Sequence, residues 1–206
     1  MNAYRTTGIK CVGWLWVGYE AADGDRIVRC CVGVLSPRHR DGIVVTAAAG
    51  VVPEIVVDCK TYKRVGIMFS SDGNDDPQHR VAVSGPLENF DGTYIGLFAY
   101  LRLELPTEQS RLKFNKGHPL AKEIWFSEGR SKAYLLECVG SNCWLESSVR
   151  KVTNAMGDDT IKFVRNTSED DANDVPLGTL VVFYNHVGLV VDSVDGGGSL
   201  VVKTLF

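Results

Sequence analysis

The sequence has no long apolar run. Its longest apolar stretch, residues 42–52, ends at Pro53 and Glu54, and it is too short to cross a bilayer as a helix, which takes roughly 20 residues. The N-terminal residues also lack the apolar core and small-residue cleavage site of a signal peptide. We therefore expect a cytoplasmic or nuclear protein with no membrane partner.

The sequence has no block of basic residues, and its cysteines and histidines do not have the spacing of zinc ligands. Its 22 Lys and Arg stand against 25 Asp and Glu, for a net charge of −3, so nucleic acid is not an expected partner. None of the six cysteines forms a C-x2-C pair, and the four histidines do not pair with them. We expect no metal and no cofactor, and we expect reduced, mostly buried thiols, because free cysteine is among the most buried residues.

The composition, 45% hydrophobic with 21 glycines in 206 residues, fits one large domain or two of about 100 residues. Short runs rich in β-branched and aromatic residues alternate with turn residues, which predicts an all-β sandwich or barrel. The predicted strands cover residues 9–19, 26–35, 43–46, 54–59, 64–70, 80–84, 94–103, 123–126, 132–139, 143–152, 160–165, 179–184, 187–191 and 200–204. A single helical candidate, residues 144–156, has apolar side chains at helical spacing, although its Thr, Ser and Val content also suits a strand.

Three segments resemble the motifs of chymotrypsin-like and Deg/HtrA-like serine proteases. Residues 31–36 (C-V-G-V-L-S) and 42–52 (G-I-V-V-T-A-A-A-G-V-V) are similar to the strands that lead to the catalytic histidine. Residues 94–99 (Y-I-G-L-F-A) are similar to the strand that carries the catalytic aspartate. Residues 175–181 (V-P-L-G-T-L-V) with 187–190 (V-G-L-V) resemble the segment of the nucleophilic serine.

In this resemblance the triad positions are Ala49, Tyr94 and Pro176. Serine hydrolysis needs a hydroxyl, a base and a group that orients the base, and these three residues supply none of them. Proline also has no N–H to offer an oxyanion hole. We therefore expect no catalytic residue of this type. The resemblance is to the degenerate Deg-like domains common in plants, and it implies a pseudoprotease.

The resemblance implies two antiparallel six-stranded β-barrels with a cleft between them. We place the N-terminal barrel at residues 1–105, a linker at 106–122, which is polar and contains two prolines, and the C-terminal barrel at 123–206. The implied function is to bind a protein or an extended peptide, through the interbarrel cleft or by strand addition at a sheet edge. The oligomeric state stays open.

An alternative function rests on Cys143 and His186. Residues 140–144 (G-S-N-C-W) resemble the surroundings of papain-like and CHAP-type cysteine nucleophiles, and residues 176–191 resemble the histidine segment of NlpC-type and CHAP amidases. Cys143 at the N-terminus of a helix over 144–156 would have a lowered pKa, with His186 as the base. The competing interpretation is a strand cysteine and a histidine at a hairpin corner.

Overall fold

The structure is a computed structural model, and it describes residues 4–5, 12–35, 42–71, 80–87, 97–104, 133–139, 142–155, 160–165, 175–183, 186–194 and 198–205. Three predictions fall outside these residues: the strand at 123–126, the linker at 106–122 and the place of Tyr94.

The described chain consists of antiparallel strands and one short 3-10 turn. In chain order the elements are β1 (Tyr4–Arg5), β2 (Val12–Ala21), β3 (Arg26–Leu35), β4 (Ile43–Ala47), the 3-10 turn (Ala48–Val51), β5 (Glu54–Val57), β6 (Lys60–Ser71), β7 (Val81–Ser84), β8 (Phe98–Leu103), β9 (Ala133–Val139), β10 (Asn142–Ala155), β11 (Thr160–Arg165), β12 (Leu180–Phe183), β13 (His186–Val194) and β14 (Ser199–Thr204). The predicted all-β class is confirmed.

The first sheet closes on itself. Its strand order is β2-β3-β4-β8-β7-β6-β5, and β2 also pairs with β6, so that six strands form a closed antiparallel barrel with β5 attached to β6. On β2 the buried residues alternate with half-buried ones, as one inward and one outward face require. The inward set on this strand includes Leu15, Val17 and Tyr19.

The second sheet has the order β1-β10-β11-β14-β13-β12-β9. It curls, because β9 hydrogen-bonds to β12 on one side and to β10 on the other. The short strand β1 pairs with Leu145 and Trp144 of β10, so these N-terminal residues belong to the second sheet. The core of this sheet contains Leu135, Phe163, Val175, Val181, Val190, Leu200 and Val202.

Strands β12 and β13 form a wall between two apolar cores. Leu180 and Leu189 pack into the core of the first sheet, whereas their neighbours Val181 and Val190 pack into the core of the second. Successive side chains of a strand point to opposite faces, so a strand with a core on each side needs apolar residues at consecutive positions. This explains why the sequence of β12, L-V-V-F, does not alternate.

The helical candidate over residues 144–156 is wrong, and the alternative strand over 143–152 is confirmed. These residues lie almost entirely in β10, which pairs with β9 on one side and β11 on the other. The apolar spacing that suggested a helix competes with a run of Ser, Val and Thr residues, whose side chains suit the pleated backbone of a strand. Two ladders of backbone hydrogen bonds decide in favour of the strand.

Candidate functional site

Ala49 lies on the 3-10 turn that follows β4. All five residues of β4 are buried, and the turn begins where the N–H of Ala48 donates to the carbonyl of Leu97 at 2.9 Å. Pro53 prevents the turn from continuing as a helix. Ala49 is exposed on this turn, so the position that the resemblance assigns to a catalytic histidine presents a methyl group.

Pro176 begins a tight loop that uses its own hydrogen-bonding groups. The N–H and the hydroxyl of Thr179 both donate to the carbonyl of Pro176, at 3.2 and 2.6 Å. The N–H of Gly178 donates to the carbonyl of Val190 at 2.8 Å. Since proline has no N–H, Pro176, Gly178 and Thr179 have no free backbone donor to offer an oxyanion.

The loop at Pro176 packs against the first sheet. The N–H of Val32 in β3 donates to the carbonyl of Leu177 at 2.8 Å. A Cβ placed on Gly50 would lie 3.7 Å from the Cβ of Leu177, an ordinary van der Waals distance. Ala49 directly precedes Gly50 in the sequence, and Pro176 directly precedes Leu177. The structure therefore brings the predicted histidine and serine positions to one junction between the sheets.

Gly178 makes the junction tight. Its φ is +80°, and a Cβ at this residue would lie 1.9 Å from the carbonyl oxygen of Val32 and 2.7 Å from Oγ1 of Thr46. The sequence motifs assign no role to the side chain of Thr46 or to the backbone of Gly178. The signal for Gly178 is that residues 175–181 resemble a motif with glycine beside the nucleophile, and glycine lets one backbone segment approach another closely.

A buried thiol lies beneath the 3-10 turn. Cys31 Sγ donates to the carbonyl of Gly50 at 3.7 Å, and the hydroxyl of Thr46 donates to the carbonyl of Val32 at 2.7 Å. Burial raises the pKa of the Cys31 thiol to about 12. Because the thiolate is the nucleophile, this raised pKa makes Cys31 a weak nucleophile at neutral pH.

The prediction of mostly buried thiols is confirmed for Cys31 and wrong for Cys30 and Cys59. All three are free cysteines, but Cys30 and Cys59 are exposed. Cys30 faces outward on β3, opposite Trp16 of β2, and Cys59 lies in the turn between β5 and β6 with φ of +63°. The turn position of Cys59 and the outward-facing position of Cys30 leave both side chains exposed.

Cys143 and His186 are on different strands and are not brought together. Cys143 lies in β10 opposite Cys138 of β9. His186 lies in β13 opposite Phe183, which is itself opposite Ala133 of β9. Ala133 and Cys138 are five residues apart on β9, which corresponds to roughly 16 Å along the strand. Cys143 and His186 are therefore offset from each other by about this distance along the strand direction. Cys143 also lacks the helix N-terminus that was to lower its pKa.

No group of three His, Cys, Asp or Glu side chains with a metal-binding arrangement occurs among the described residues. Within the same ranges, the structure contains no helix with the length and hydropathy to cross a membrane. No protein-family model and no curated protein matches the chain.

Proposed function

We propose that this chain is a trypsin-like double-barrel protein of the Deg/HtrA-like type that has no peptidase activity and binds an extended segment of another protein. One observation carries the proposal: Ala49 and Pro176 lie at one junction between the two sheets, in the order and spacing of the protease motifs, without a reacting side chain. The closed six-stranded antiparallel barrel is compatible with that fold.

A protease-like scaffold without catalytic residues still has its sheets and their edges, and we therefore assign it a binding function. A sheet edge offers unpaired backbone groups, and an extended peptide satisfies them by adding a strand. The near-balanced charge of the chain favours a protein partner over nucleic acid, whose binding surfaces are strongly basic. The partner is therefore a protein or peptide in extended conformation.

The absence of serine chemistry is tested with a fluorophosphonate probe. Trypsin serves as the positive control, and the heat-unfolded chain measures background labelling. We expect the folded chain to be labelled no more than the unfolded one, because neither Ala49 nor Pro176 can form the covalent adduct. Labelling above background that maps to any serine or threonine of the folded chain would contradict the proposal.

The cysteine-hydrolase alternative makes the opposite prediction for iodoacetamide. A thiolate activated by His186 would make Cys143 react rapidly at pH 5.5, and His186→Ala would abolish that reactivity. We expect Cys143 to react no faster than an ordinary thiol and His186→Ala to leave its rate unchanged, because the register keeps the two residues apart. The rate is measured by mass spectrometry, with Cys143→Ser to assign the adduct.

A further inference from the structure

Strand β5 (Glu54–Val57) is an edge of the first sheet. It is the terminal strand in the sheet order, and in the described part of the chain it pairs only with β6. The hairpin turn that joins β5 to β6 has two residues, Asp58 and Cys59, both with positive φ. Such a turn fixes the register of its strands, so the orientation of each β5 residue is defined.

The outward backbone groups of β5 belong to Glu54 and Val56. The N–H of Arg64 in β6 donates to the carbonyl of Pro53, so Pro53 faces β6, and by strand alternation Ile55 and Val57 also face β6. The backbone N–H and C=O of Glu54 and Val56 then point away from the barrel. An added strand is the structure that satisfies two such donor and acceptor pairs in line.

The side chains at this edge are accessible to an added strand. Val56 has 64% of its surface exposed, and it is one of the most exposed large apolar residues that the structure describes. Ile55 and Val57 point to the other face and pack against the barrel core. The edge is therefore held in place from inside the barrel, while its outer face presents one acidic and one apolar side chain.

A row of alternating charge runs across four strands and ends at Glu54. Glu54 is opposite Lys63 of β6, Lys63 is opposite Glu20 of β2, and Glu20 is opposite Arg26 of β3. The guanidinium of Arg26 bonds to the Glu20 carboxylate at 2.5 Å. Opposite charges favour one another as direct cross-strand neighbours. A strand added beyond β5 would therefore continue the alternation with a positive charge opposite Glu54.

We propose that β5 binds an extended segment of a partner protein with a basic residue opposite Glu54 and an apolar β-branched residue opposite Val56. All pairings of this sheet are antiparallel, and an antiparallel ladder is slightly more stable per residue than a parallel one. The segment therefore has the order apolar-x-basic from N- to C-terminus. This inference rests on the proposed function and assigns it a site and a sequence preference.

A second copy of the chain is a poorer occupant of this edge. Two β5 strands paired antiparallel about Ile55 would set Glu54 of each copy opposite Val56 of the other, which leaves the charge row without its positive neighbour. Exposed ion pairs add little affinity but do fix register and partner choice. The charge row therefore selects a basic partner segment.

The test uses an acetylated and amidated ten-residue peptide of threonines with a central Val-Thr-Lys, titrated into the ¹⁵N-labelled full chain. We expect saturable shifts centred on the amides of Glu54 and Val56. Replacing Lys by Glu in the peptide should weaken binding about fivefold, because like charges then face each other. The reversed order Lys-Thr-Val should also bind more weakly.

Two variants and a control define the site. Val56→Pro removes an outward N–H and leaves the β6 pairing intact, and we expect at least about tenfold weaker binding. Glu54→Lys should reverse the preference, so that the Val-Thr-Glu peptide binds better than Val-Thr-Lys; this result does not depend on the folding of the proline variant. Val28→Thr, an exposed valine on the outer face of β3, should leave binding unchanged.

Failure of the site and failure of the function give different results. Peptides from an unbiased library that bind with shifts elsewhere, insensitive to both β5 variants, would overturn the β5 site and leave the proposed function standing. If neither the designed peptides nor any library peptide binds at millimolar concentration, the proposed function and the β5 site fail together. A wild-type dimer in sedimentation that Val56→Pro dissociates would identify a second copy as the occupant and overturn the partner segment.

Discussion

At the junction of the two sheets, Gly178 combines a φ of +80° with backbone contact to Val32, and the two effects can be measured separately. Gly24, in the β2–β3 turn, has nearly the same φ, +87°, and open space around its Cβ position. Gly24→Ala therefore reports the cost of the backbone conformation alone, about 1–2 kcal/mol. A Cβ at Gly178 additionally requires the loop to move away from β3.

We expect Gly178→Ala to lower the free energy of unfolding by about 3 kcal/mol or more, against about 1–2 kcal/mol for Gly24→Ala. Urea denaturation followed by circular dichroism measures both. Equal losses for the two variants would mean that the loop does not pack on Val32, and they would remove the structural basis for placing Ala49 and Pro176 at one junction.

Cys31 gives the stability a defined dependence on alkaline pH. The thiol titrates near pH 9 when unfolded, and its pKa is raised to about 12 by burial in the fold. A raised pKa stabilises the fold below pH 9, and this contribution is lost as the pH rises toward 12, because only the unfolded chain releases the proton. Between pH 9.5 and 11, the stability advantage of the wild type over Cys31→Ala should fall by about 1.4 kcal/mol per pH unit. A constant difference, measured by urea denaturation, would show that the thiol is accessible to water.

At the scale of elements, local sequence was sufficient where a strand borders one core or a turn has a distinct composition. The bounds predicted for β3 and β11 are those observed, because β-branched runs ended by Gly, Asp or Asn determine a hairpin locally. For the segment of β10 the local sequence allows both a strand and a helix, because short apolar spacing fits two periods. Its pairing with both β9 and β11 is a long-range property that no local window contains.

The candidate site was predictable in part for the same reason. The motifs around Ala49 and Pro176 are local, and in the structure both residues lie near one junction between the sheets. The sequence did not predict that β5 is an edge strand. Whether a strand is an edge depends on the pairing of the whole sheet, and the strand's own residues do not show it. The charge row through Glu54 likewise depends on the register of four strands that are far apart in sequence.

At the scale of the molecule, the wall formed by β12 and β13 should make the two sheets unfold together. Leu189 packs into the first core and its neighbour Val190 into the second. In native-state hydrogen exchange we therefore expect the amides of Val32 and Val190 to open with free energies within about 1 kcal/mol of each other. Leu189→Ala should lower both by about 2–4 kcal/mol, whereas Val28→Thr should change neither. If Leu189→Ala lowered only the value at Val32, the second core would be stable alone, and the contacts of β13 would then join two independent units.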